Sequence, residues 1–218
     1  SKLLENIYRS VNIGFINEMK FIADKFGLDI FEILSLANTK PYGFTRFDPG
    51  PGVGGHCIPI DPQYLYWKSL NKGFRPKFIK LSAEINLEVT KFIFKKILGR
   101  TKKVNKNKST MEILVLGIAY KKNLDDIRAS APKRLINHLI KHKFKNIKYS
   151  DPFISSCKFN NNINKKSARL NKELLKKTDI VILATDHDKF NYNLIKKYSK
   201  YIIDCRGKYK LNQNIARG

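Results

Sequence analysis

The spacing of apolar residues changes near residue 104, and this change constrains the fold more than any other feature of the sequence. Before it, apolar residues recur three and four positions apart over 3–22 and 78–98, as on amphipathic helices. After it, short β-rich runs alternate with helical segments, which indicates a parallel sheet covered by helices. We therefore expect an α/β chain, with an all-helical domain over 1–103 and a Rossmann-like parallel α/β domain over 104–218.

Local signals give the expected bounds of these elements. Gly27 is a stop for the first helix, and Asp29 followed by Glu32 forms the capping-box pattern that starts the second. Asp61 is expected to cap a third helix ending near Leu70. Other helices are expected over 78–98, 130–143 and 170–177, strands over 113–116, 147–149, 180–183 and 201–203, and a linker or exposed helix end over 100–109.

The charge balance is strongly basic, with 43 Lys and Arg against 18 Asp and Glu. Basic surfaces bind nucleic acid by releasing phosphate counterions, but these lysines are spread over nearly every segment among Ile and Asn. We therefore expect no specific nucleic-acid binding, although such a surface favours an anionic substrate. No apolar run approaches the roughly 20 residues of a membrane helix, and three cysteines do not suggest a disulfide framework, so we expect a reduced, cytoplasmic protein without a membrane span.

The turn after the first predicted strand carries one glycine, Gly117, where a dinucleotide-binding fingerprint carries three. Parallel α/β sheets often bind nucleotides at the carboxyl ends of their strands. This sheet is therefore not expected to hold a pyrophosphate through a glycine-rich turn. Lys121, Lys122 and Arg128 at the same end could supply positive charge instead, or could form an ordinary solvated loop.

The most informative segment is rich in glycine and proline and spans residues 49–62. Its glycine pair, Gly54 and Gly55, lets backbone or ligand approach closely. Cys57 follows, just before a predicted helix start, where helix amides and the helix dipole favour a thiolate nucleophile. We expect the neighbouring His56 to be structural and to point away from the cysteine.

The other cysteines, Cys157 and Cys205, lie in polar or strand-end settings without partners of ligand type. A zinc site needs Cys and His clustered at short spacings, which the sequence does not contain. We therefore expect no metal site, and Cys57 as the only functionally reactive thiol.

Three motifs in the same order make almost the whole sequence resemble the UDP-glucose/GDP-mannose dehydrogenase family. They are the family's catalytic-cysteine motif at Gly50–Pro62 (GPGVGGHCIPIDP), the opening of its central helix at Lys2–Asn6 (KLLEN) with Asn17 and Glu18, and the start of its C-terminal domain at Leu116–Asn123 (LGIAYKKN) with Asp126–Ser130. Within the family, the sequence around Cys57, at 64–67 and at 119–122 is most similar to the UDP-N-acetylglucosamine 6-dehydrogenase branch.

The resemblance implies an NAD-dependent oxidation of a sugar C6 alcohol to a carboxylate, in two steps. It favours UDP-N-acetylglucosamine as the substrate and leaves UDP-glucose and UDP-N-acetylmannosamine open. The aldehyde would be captured by Cys57 as a thiohemiacetal and released through a thioester. Lys2 would stabilise the developing oxyanion or help move its proton, and Asn6 lies one helical turn away on the same face. Asp61 would orient or activate water.

By the same resemblance, the C-terminal domain would bind UDP. The residues at family positions for substrate are Gly54, Gly55, Tyr120, Lys121 and Arg206, Arg128 matches a position that reaches the NAD phosphates, and Lys40 or Arg46 is a candidate for a basic residue offered by a neighbouring subunit. Gly207 departs from the usual neighbour of the substrate arginine.

The family association implies a central dimerisation domain. The helix at 78–98 carries an apolar stripe wider than a small helical domain needs, so we expect a homodimer through it. The stripe comprises Phe78, Leu81, Ile85, Val89, Phe92, Ile93 and Leu98.

The family's N-terminal NAD-binding domain is not found in this sequence, which starts within the central helix. We therefore expect the C-terminal portion of a longer enzyme, inactive by itself. The alternative is a UDP-sugar-binding or dimerisation module that has lost catalysis, although a binding module has no use for the retained Cys57, Lys2 and Asn6.

Overall fold

The computed structural model describes residues 1–218 apart from the side chain of Asn161. The helices are α1 (Lys2–Lys25), α2 (Ile30–Ala37), α3 (Asp61–Leu70), α4 (Lys77–Lys103), α5 (Ala131–Lys141), α6 (Lys172–Lys177) and α7 (Tyr192–Tyr198). The strands are β1 (Ile113–Leu116), β2 (Ile147–Ser150), β3 (Ser156–Lys158), β4 (Asn164–Lys166), β5 (Ile180–Leu183), β6 (Ile202–Asp204) and β7 (Ile215–Arg217). Within the described chain, none of the helices is long and apolar enough to cross a bilayer.

Five parallel strands form the main sheet in the order β2-β1-β5-β6-β7. Ile113 on β1 lies opposite Ile147 on β2 and Ile180 on β5, so β1 is paired on both sides. Every residue of β1 and β5 is buried, because helices and loops cover both faces of a parallel sheet. The expected order, a helical part followed by a parallel α/β part, is confirmed. The β3–β4 hairpin, α7 and β7 had not been predicted.

Helix α4 continues to Lys103, so the first residues of the predicted linker are helical. Two contacts hold the C-terminal end of α4 in place, one to the α/β region and one within the helix. The guanidinium of Arg100 lies 4.4 Å from the centroid of the Tyr201 ring, and Thr101 Oγ1 donates a hydrogen bond to the Ile97 carbonyl at 2.8 Å. The start of the Lys- and Asn-rich segment therefore stays helical, because Arg100 packs on Tyr201 beside β6.

The apolar stripe of α4 is largely covered within the chain. Val89, Ile93 and Ile97 have no exposed surface and belong to the same core as β1 and α5. Within this stripe, only Phe78 and Leu81 in the first turns of α4 are exposed; Leu87, which is exposed as well, lies outside the stripe. The prediction that this stripe is an uncovered dimer surface is therefore wrong, because the sheet already buries its central part.

Helix α1 combines an exposed apolar stripe with a buried face on which four polar side chains lie beside Ile16 and Ala23. Its outer stripe consists of Leu4, Tyr8, Phe15, Ile22 and Phe26, which are 43% to 75% exposed. Its inner face buries Asn6, Ser10, Asn17 and Lys20. Gly14 lies on that face, where a Cβ would come within 3.2 Å of the Ser82 Cα, so the glycine lets α1 and α4 approach closely. The apolar pattern that predicts the helix thus marks its exposed side.

Candidate active site

The first part of the site joins the start of α1 to the start of α3. Asn6 donates a hydrogen bond from Nδ2 to Asp61 Oδ2 at 2.6 Å, and Lys2 Nζ lies 4.0 Å from the same oxygen. Arg9 donates to Asn6 Oδ1, which orients the Asn6 amide so that its nitrogen faces the carboxylate. The structure therefore brings Lys2, Asn6 and Asp61 together, as the sequence predicts.

Asp61 is not an N-cap. It is the first residue of α3, Ile60 occupies the cap position, and no side-chain bond caps the helix. The Asp61 backbone N–H instead donates to the Cys57 carbonyl at 2.8 Å. The predicted capping role is wrong, because the side chain is engaged by Asn6 across the site. This leaves Asp61 a partly buried carboxylate directed at α1, with a side chain that is 14% exposed.

Cys57 opens the turn that leads into α3. Its carbonyl accepts hydrogen bonds from the N–H groups of Ile60 and Asp61. Its side chain is partly buried, and Sγ lies 3.7 Å from His56 Nδ1. The expectation that His56 points away is therefore wrong, since an adjacent residue in a tight turn need not alternate in direction as it would in an extended segment. His56 Nδ1 can accept the thiol proton or donate to a thiolate, according to its tautomer.

The other two thiols are unsuited to nucleophilic chemistry. Burial raises the pKa of the Cys205 thiol to about 12, and burial also raises the pKa of Cys157. Both are buried and uncharged at neutral pH, and thiols in apolar surroundings are inert. The expectation that Cys57 is the functional thiol keeps its structural rationale.

The glycine pair lies directly against the loop that follows β1. A Cβ on Gly54 would lie 2.8 Å from the Tyr120 Cβ, and one on Gly55 would lie 2.8 Å from the Tyr120 ring. Gly55 also adopts φ +91° and donates its N–H to the Arg128 carbonyl at 3.0 Å. Only glycine fits at either position, because the backbones approach so closely. The loop that carries Cys57 is therefore packed on the segment that carries Tyr120 and Arg128.

Arg128 and Lys121 lie on the exposed side of that segment. The Arg128 guanidinium forms hydrogen bonds to the Asp126 carboxylate, the shortest of them 2.6 Å, and these bonds hold the pKa of Asp126 below its usual value. Lys121 is exposed on the same loop. Both cations remain accessible to an anionic group that approaches Cys57 and Tyr120.

Arg206 follows β6 and reaches the same glycine-rich segment from its other end. Its Nε donates to the Ala184 carbonyl at 2.8 Å, and Asp186 lies 3.8 Å away. A Cβ on Gly50 would lie 2.9 Å from Arg206 Nη1, so this arginine contacts the cysteine loop at Gly50. The unusual Gly207 has a local cause, since a Cβ there would lie 2.5 Å from the Phe31 ring of α2.

Arg46 and Lys40 remain on the α2 side. Arg46 donates to Asp48 Oδ1 at 2.8 Å and to Ser35 Oγ at 3.2 Å, and Lys40 is exposed. Their suggested role toward a neighbouring subunit stays a prediction.

The turn after β1 is not built to hold a pyrophosphate. The N–H groups of Ile118 and Ala119 donate to Asp151 Oδ2 at 2.7 and 3.2 Å. The buried His187 contacts the same oxygen through Nε2 at 3.1 Å and accepts the Asn123 N–H at Nδ1, so Nε2 carries the proton. An internal carboxylate thus occupies the amides that a dinucleotide phosphate would use. Arg128, the one residue predicted to contact the cofactor, lies outside this turn and is exposed.

Sequence reasoning missed several residues that hold the site together. Arg134 donates to the Val53 carbonyl at 2.9 Å, and the buried Lys20 and Asn17 bind the backbone of Gly50. A signal was present, because Asn6, Ser10, Asn17 and Lys20 recur on one helical face. Among the described residues, no cluster of His, Cys, Asp or Glu could hold a metal ion.

The chain is similar to known proteins over almost its whole length. Residues 1–88 match the central domain of the UDP-glucose/GDP-mannose dehydrogenase family, and residues 114–211 match its UDP binding domain. A UDP-N-acetyl-D-mannosamine dehydrogenase from Methanocaldococcus jannaschii is 35% identical over 192 residues, 87% of this chain and 40% of the relative. An NDP-N-acetyl-D-galactosaminuronic acid dehydrogenase from Ralstonia solanacearum is 30% identical over 220 residues, 99% of this chain and 49% of the relative.

A solved structure has the same fold. The UDP-D-ManNAc dehydrogenase from Pyrococcus horikoshii superposes with a TM-score of 0.82 at 31% identity, covering 99% of this chain and 50% of that one. The chain therefore spans about half the length of the relatives it matches.

Proposed function

The chain belongs to the UDP-glucose/GDP-mannose dehydrogenase family, and from that premise we propose that it forms the UDP-sugar-binding, cysteine-bearing portion of an NAD-dependent UDP-sugar 6-dehydrogenase. One observation carries the proposal. The loop that bears Cys57 is fixed at Asp61 by Asn6 and lies against Tyr120 and Arg206, which match substrate positions of the family. A nucleophile between an oxyanion-stabilising group and a nucleotide-binding surface suits covalent capture of a nucleotide-linked aldehyde.

The chain's own residues would act at the sugar C6. The Cys57 thiolate adds to an aldehyde carbon, and the carbonyl electron pair moves onto oxygen, which gives a thiohemiacetal. Lys2, with a side chain that is 72% exposed, is free to turn toward that oxygen and stabilise its charge. In the final step, attack of water on a Cys57 thioester releases the acid and restores the thiolate. Asp61, held by Asn6, is positioned to accept a proton from that water.

The family implies NAD as cofactor, and it would accept the two hydrides that C6 loses. The described residues fit it poorly, because Asp151 fills the turn after β1 and leaves the exposed cations Arg128, which pairs with Asp126, and Lys121 as the accessible charges of that loop. We therefore assign this chain no further part in holding the dinucleotide. Activity of this chain by itself is not expected.

We propose an N-acetylated UDP-hexosamine as substrate, and UDP-N-acetylglucosamine in particular. The names of the relatives from M. jannaschii and R. solanacearum both refer to N-acetylated sugars. The cysteine segment and the stretch at 64–67 favour the N-acetylglucosamine branch. We further propose a cytoplasmic homodimer, with the outer stripe of α1 rather than α4 as its contact surface.

Titration calorimetry of this chain tests the proposal. UDP should bind, and UDP-N-acetylglucosamine should bind more tightly than UDP-N-acetylmannosamine, whereas NAD should bind hardly at all. Arg206→Met should weaken UDP at least tenfold, roughly the effect of losing one charge-assisted hydrogen bond to phosphate. Arg169→Met, a change at an exposed arginine, is the matched control. Tight NAD binding without a UDP response would overturn the proposal.

A further inference from the structure

Lys20 is a buried cation at a junction of three segments. It lies on the inner face of α1 and is 2% exposed. Its Nζ donates hydrogen bonds to the Gly50 carbonyl at 3.0 Å and to the Gly218 carbonyl, directly after β7, at 2.7 Å. One ammonium thus ties α1 to the cysteine loop and to the end of the parallel sheet.

The site stabilises this charge weakly. Asp24, one turn further along α1, pairs with Lys96 instead, and the ammonium lies 5.4 Å from the Phe92 ring centroid. Burial lowers the pKa of Lys20 to about 8. A buried lysine without a carboxylate side chain as its partner costs free energy of folding, and an apolar side chain of similar length would avoid that cost. The ammonium donates to two main-chain oxygens at once, however, and methionine could make neither hydrogen bond.

The contacts of Gly50 show what these hydrogen bonds do, because both its backbone carbonyl and its backbone N–H are hydrogen-bonded. Its carbonyl accepts from Lys20, and its N–H donates to Asn17 Oδ1 at 3.3 Å. Asn17 is itself fixed by Asn86 on α4, through a hydrogen bond of 2.9 Å between buried amides. On its remaining side, Gly50 packs against Arg206.

The same helix holds the other end of the loop. Asn6 binds Asp61, and Lys20 follows Asn6 after fourteen residues, or about 21 Å of helix. Cys57 lies between Gly50 and Asp61 in the chain. The inner face of α1 therefore holds both ends of the segment that bears the cysteine, and Lys20 is the contact that also reaches the sheet.

We propose that Lys20 is a positioning residue, which holds the cysteine loop at Gly50 against Arg206 and the end of the sheet. The inference rests on the proposed function for its purpose, since the loop carries Cys57 and Arg206 would bind the substrate. The geometric part, that Lys20 sets the position of the loop, can be tested without any catalytic assay.

Hydrogen exchange by mass spectrometry on this chain measures the loop directly. The Gly55 amide reports the contact with Arg128, and the Gly50 amide reports the contact with Asn17. In Lys20→Met, exchange of peptides over 49–57 should rise at least tenfold, while peptides over 89–97 in the core stay unchanged. Lys20→Arg, which keeps a cationic donor, should restore protection in the loop.

The control is Lys25→Met, an exposed lysine on the same helix, which should leave both peptides unchanged. Should Lys20→Met fail to fold, Lys20→Gln, which keeps a shorter uncharged donor, carries the test with the same expectation. Faster exchange everywhere, or no change in the loop, would overturn the proposal and leave Lys20 a residue of general stability.

UDP titration of the same variants separates this inference from the proposed function. If loop protection depends on Lys20 but UDP does not bind the wild-type chain, the positioning role stands and the proposed function fails. If UDP binds the wild-type chain but loop protection does not depend on Lys20, the proposed function stands and the positioning role fails. When both are right, Lys20→Met should also weaken UDP several-fold, because Arg206 loses the loop that it packs against.

Discussion

The helical region (1–103) and the α/β region (104–218) present very different surfaces. Of the twenty large apolar side chains that are exposed in the described chain, eighteen belong to the helical region. Only Leu124 and Leu211 belong to the α/β region. Exposed apolar patches on soluble proteins mark contact surfaces. The surface of the α/β region thus exposes few large apolar side chains. The helical region exposes many, and its surface is suited to contact with another protein segment.

The elements that form each interior also differ. Strands β1 and β5 bury only apolar side chains, whereas the inner face of α1 buries two asparagines, a serine and a lysine beside Ile16 and Ala23. Apolar burial stabilises an element whatever its neighbours are, but buried polar groups need partners at fixed positions. The strands are therefore held by their apolar core, and α1 also depends on specific contacts to the cysteine loop and the sheet. Both regions bury further polar groups, and in the α/β region these include Asp151, His187 and Arg217.

Removing a buried ion pair between the two regions should have the largest effect. Arg217 on β7 donates to Asp29 at the start of α2 and to Asp204 at the end of β6. Arg217→Met would leave both carboxylates buried without a charged partner, with only backbone N–H donors remaining, which costs about 3–5 kcal/mol of unfolding free energy. Urea denaturation measures it.

The loss at Arg217 should shrink between pH 8 and pH 5, because the abandoned carboxylates can take up protons. Arg169→Met, at an exposed arginine, should change the unfolding free energy by less than about 0.5 kcal/mol. Equal effects of the two substitutions would mean that the regions do not depend on this contact.

Truncation of one leucine in each region compares the two surfaces directly. Leu116→Ala in β1, where the side chain is 0% exposed, should cost about 2–5 kcal/mol. Leu4→Ala on α1, where the side chain is 72% exposed, should cost less than about 0.5 kcal/mol. A loss at Leu4 comparable to that at Leu116 would show that the outer stripe is covered in solution at the concentration used.

Self-association tests what covers the outer stripe. Tyr8, Phe15 and Ile22 recur every seven residues, a spacing that suits pairing of two copies of α1. Phe15→Asp should weaken a dimer at least tenfold, about 1.4 kcal/mol, while Leu81→Asp on α4 leaves it intact. Analytical ultracentrifugation at several concentrations decides. If Leu81→Asp alone dissociates the protein, the interface lies on α4 after all.

The smallest effect concerns the charge of Lys20. Because its pKa falls from 10.5 to about 8 on folding, the unfolded chain binds more protons between those values, and stability rises with pH there. The gain from pH 8 to pH 9 should be about 1 kcal/mol, and Lys20→Met should lack it. Below pH 8 Lys20 is protonated in both the folded and the unfolded chain. The difference in unfolding free energy between the wild type and Lys20→Met should therefore be constant there.

The charged or titratable groups that face Lys20 are Asp24 on α1, Lys96 on α4, and Cys205 and Arg206 after β6. Among them Cys205 opposes the gain. Its pKa is raised to about 12 in the folded protein, so its contribution to the unfolding free energy falls as the pH rises above 9. A gain that survives in Lys20→Met would assign the effect to another group.

The sequence predicted the long elements of both regions but not how α1 packs. Period and local signals suffice for strands such as 113–116 and for the cap of α2, where Asp29 accepts from the Phe31 N–H. They fail for β3 and β4, because Ser156–Lys158 and Asn164–Lys166 hold no apolar run, and for β7, where only Ile215 and Ala216 are apolar. For α1 the apolar pattern gave the helix, yet its polar side faces inward, since the groups that bind it lie far away in the chain.

The candidate site was predicted from motifs rather than from physics of the chain alone. Cys57, Lys2, Asn6 and Asp61 were found because family motifs mark them, and the structure brings the last three into contact. The contact of His56 with Cys57, and the hold of Lys20 on Gly50, depend on turn geometry and on residues 30 positions apart. No local pattern encodes such distances.

Alkylation of the three thiols tests the central claim most directly, namely that Cys57 is a reactive thiol in a UDP-sugar pocket. Native protein is treated with iodoacetamide and labelling is mapped by mass spectrometry, with and without UDP-N-acetylglucosamine. Cys57 should be labelled first, and the nucleotide sugar should slow its labelling. Faster labelling of Cys157 or Cys205, or labelling of Cys57 that ignores a saturating nucleotide sugar, would contradict it.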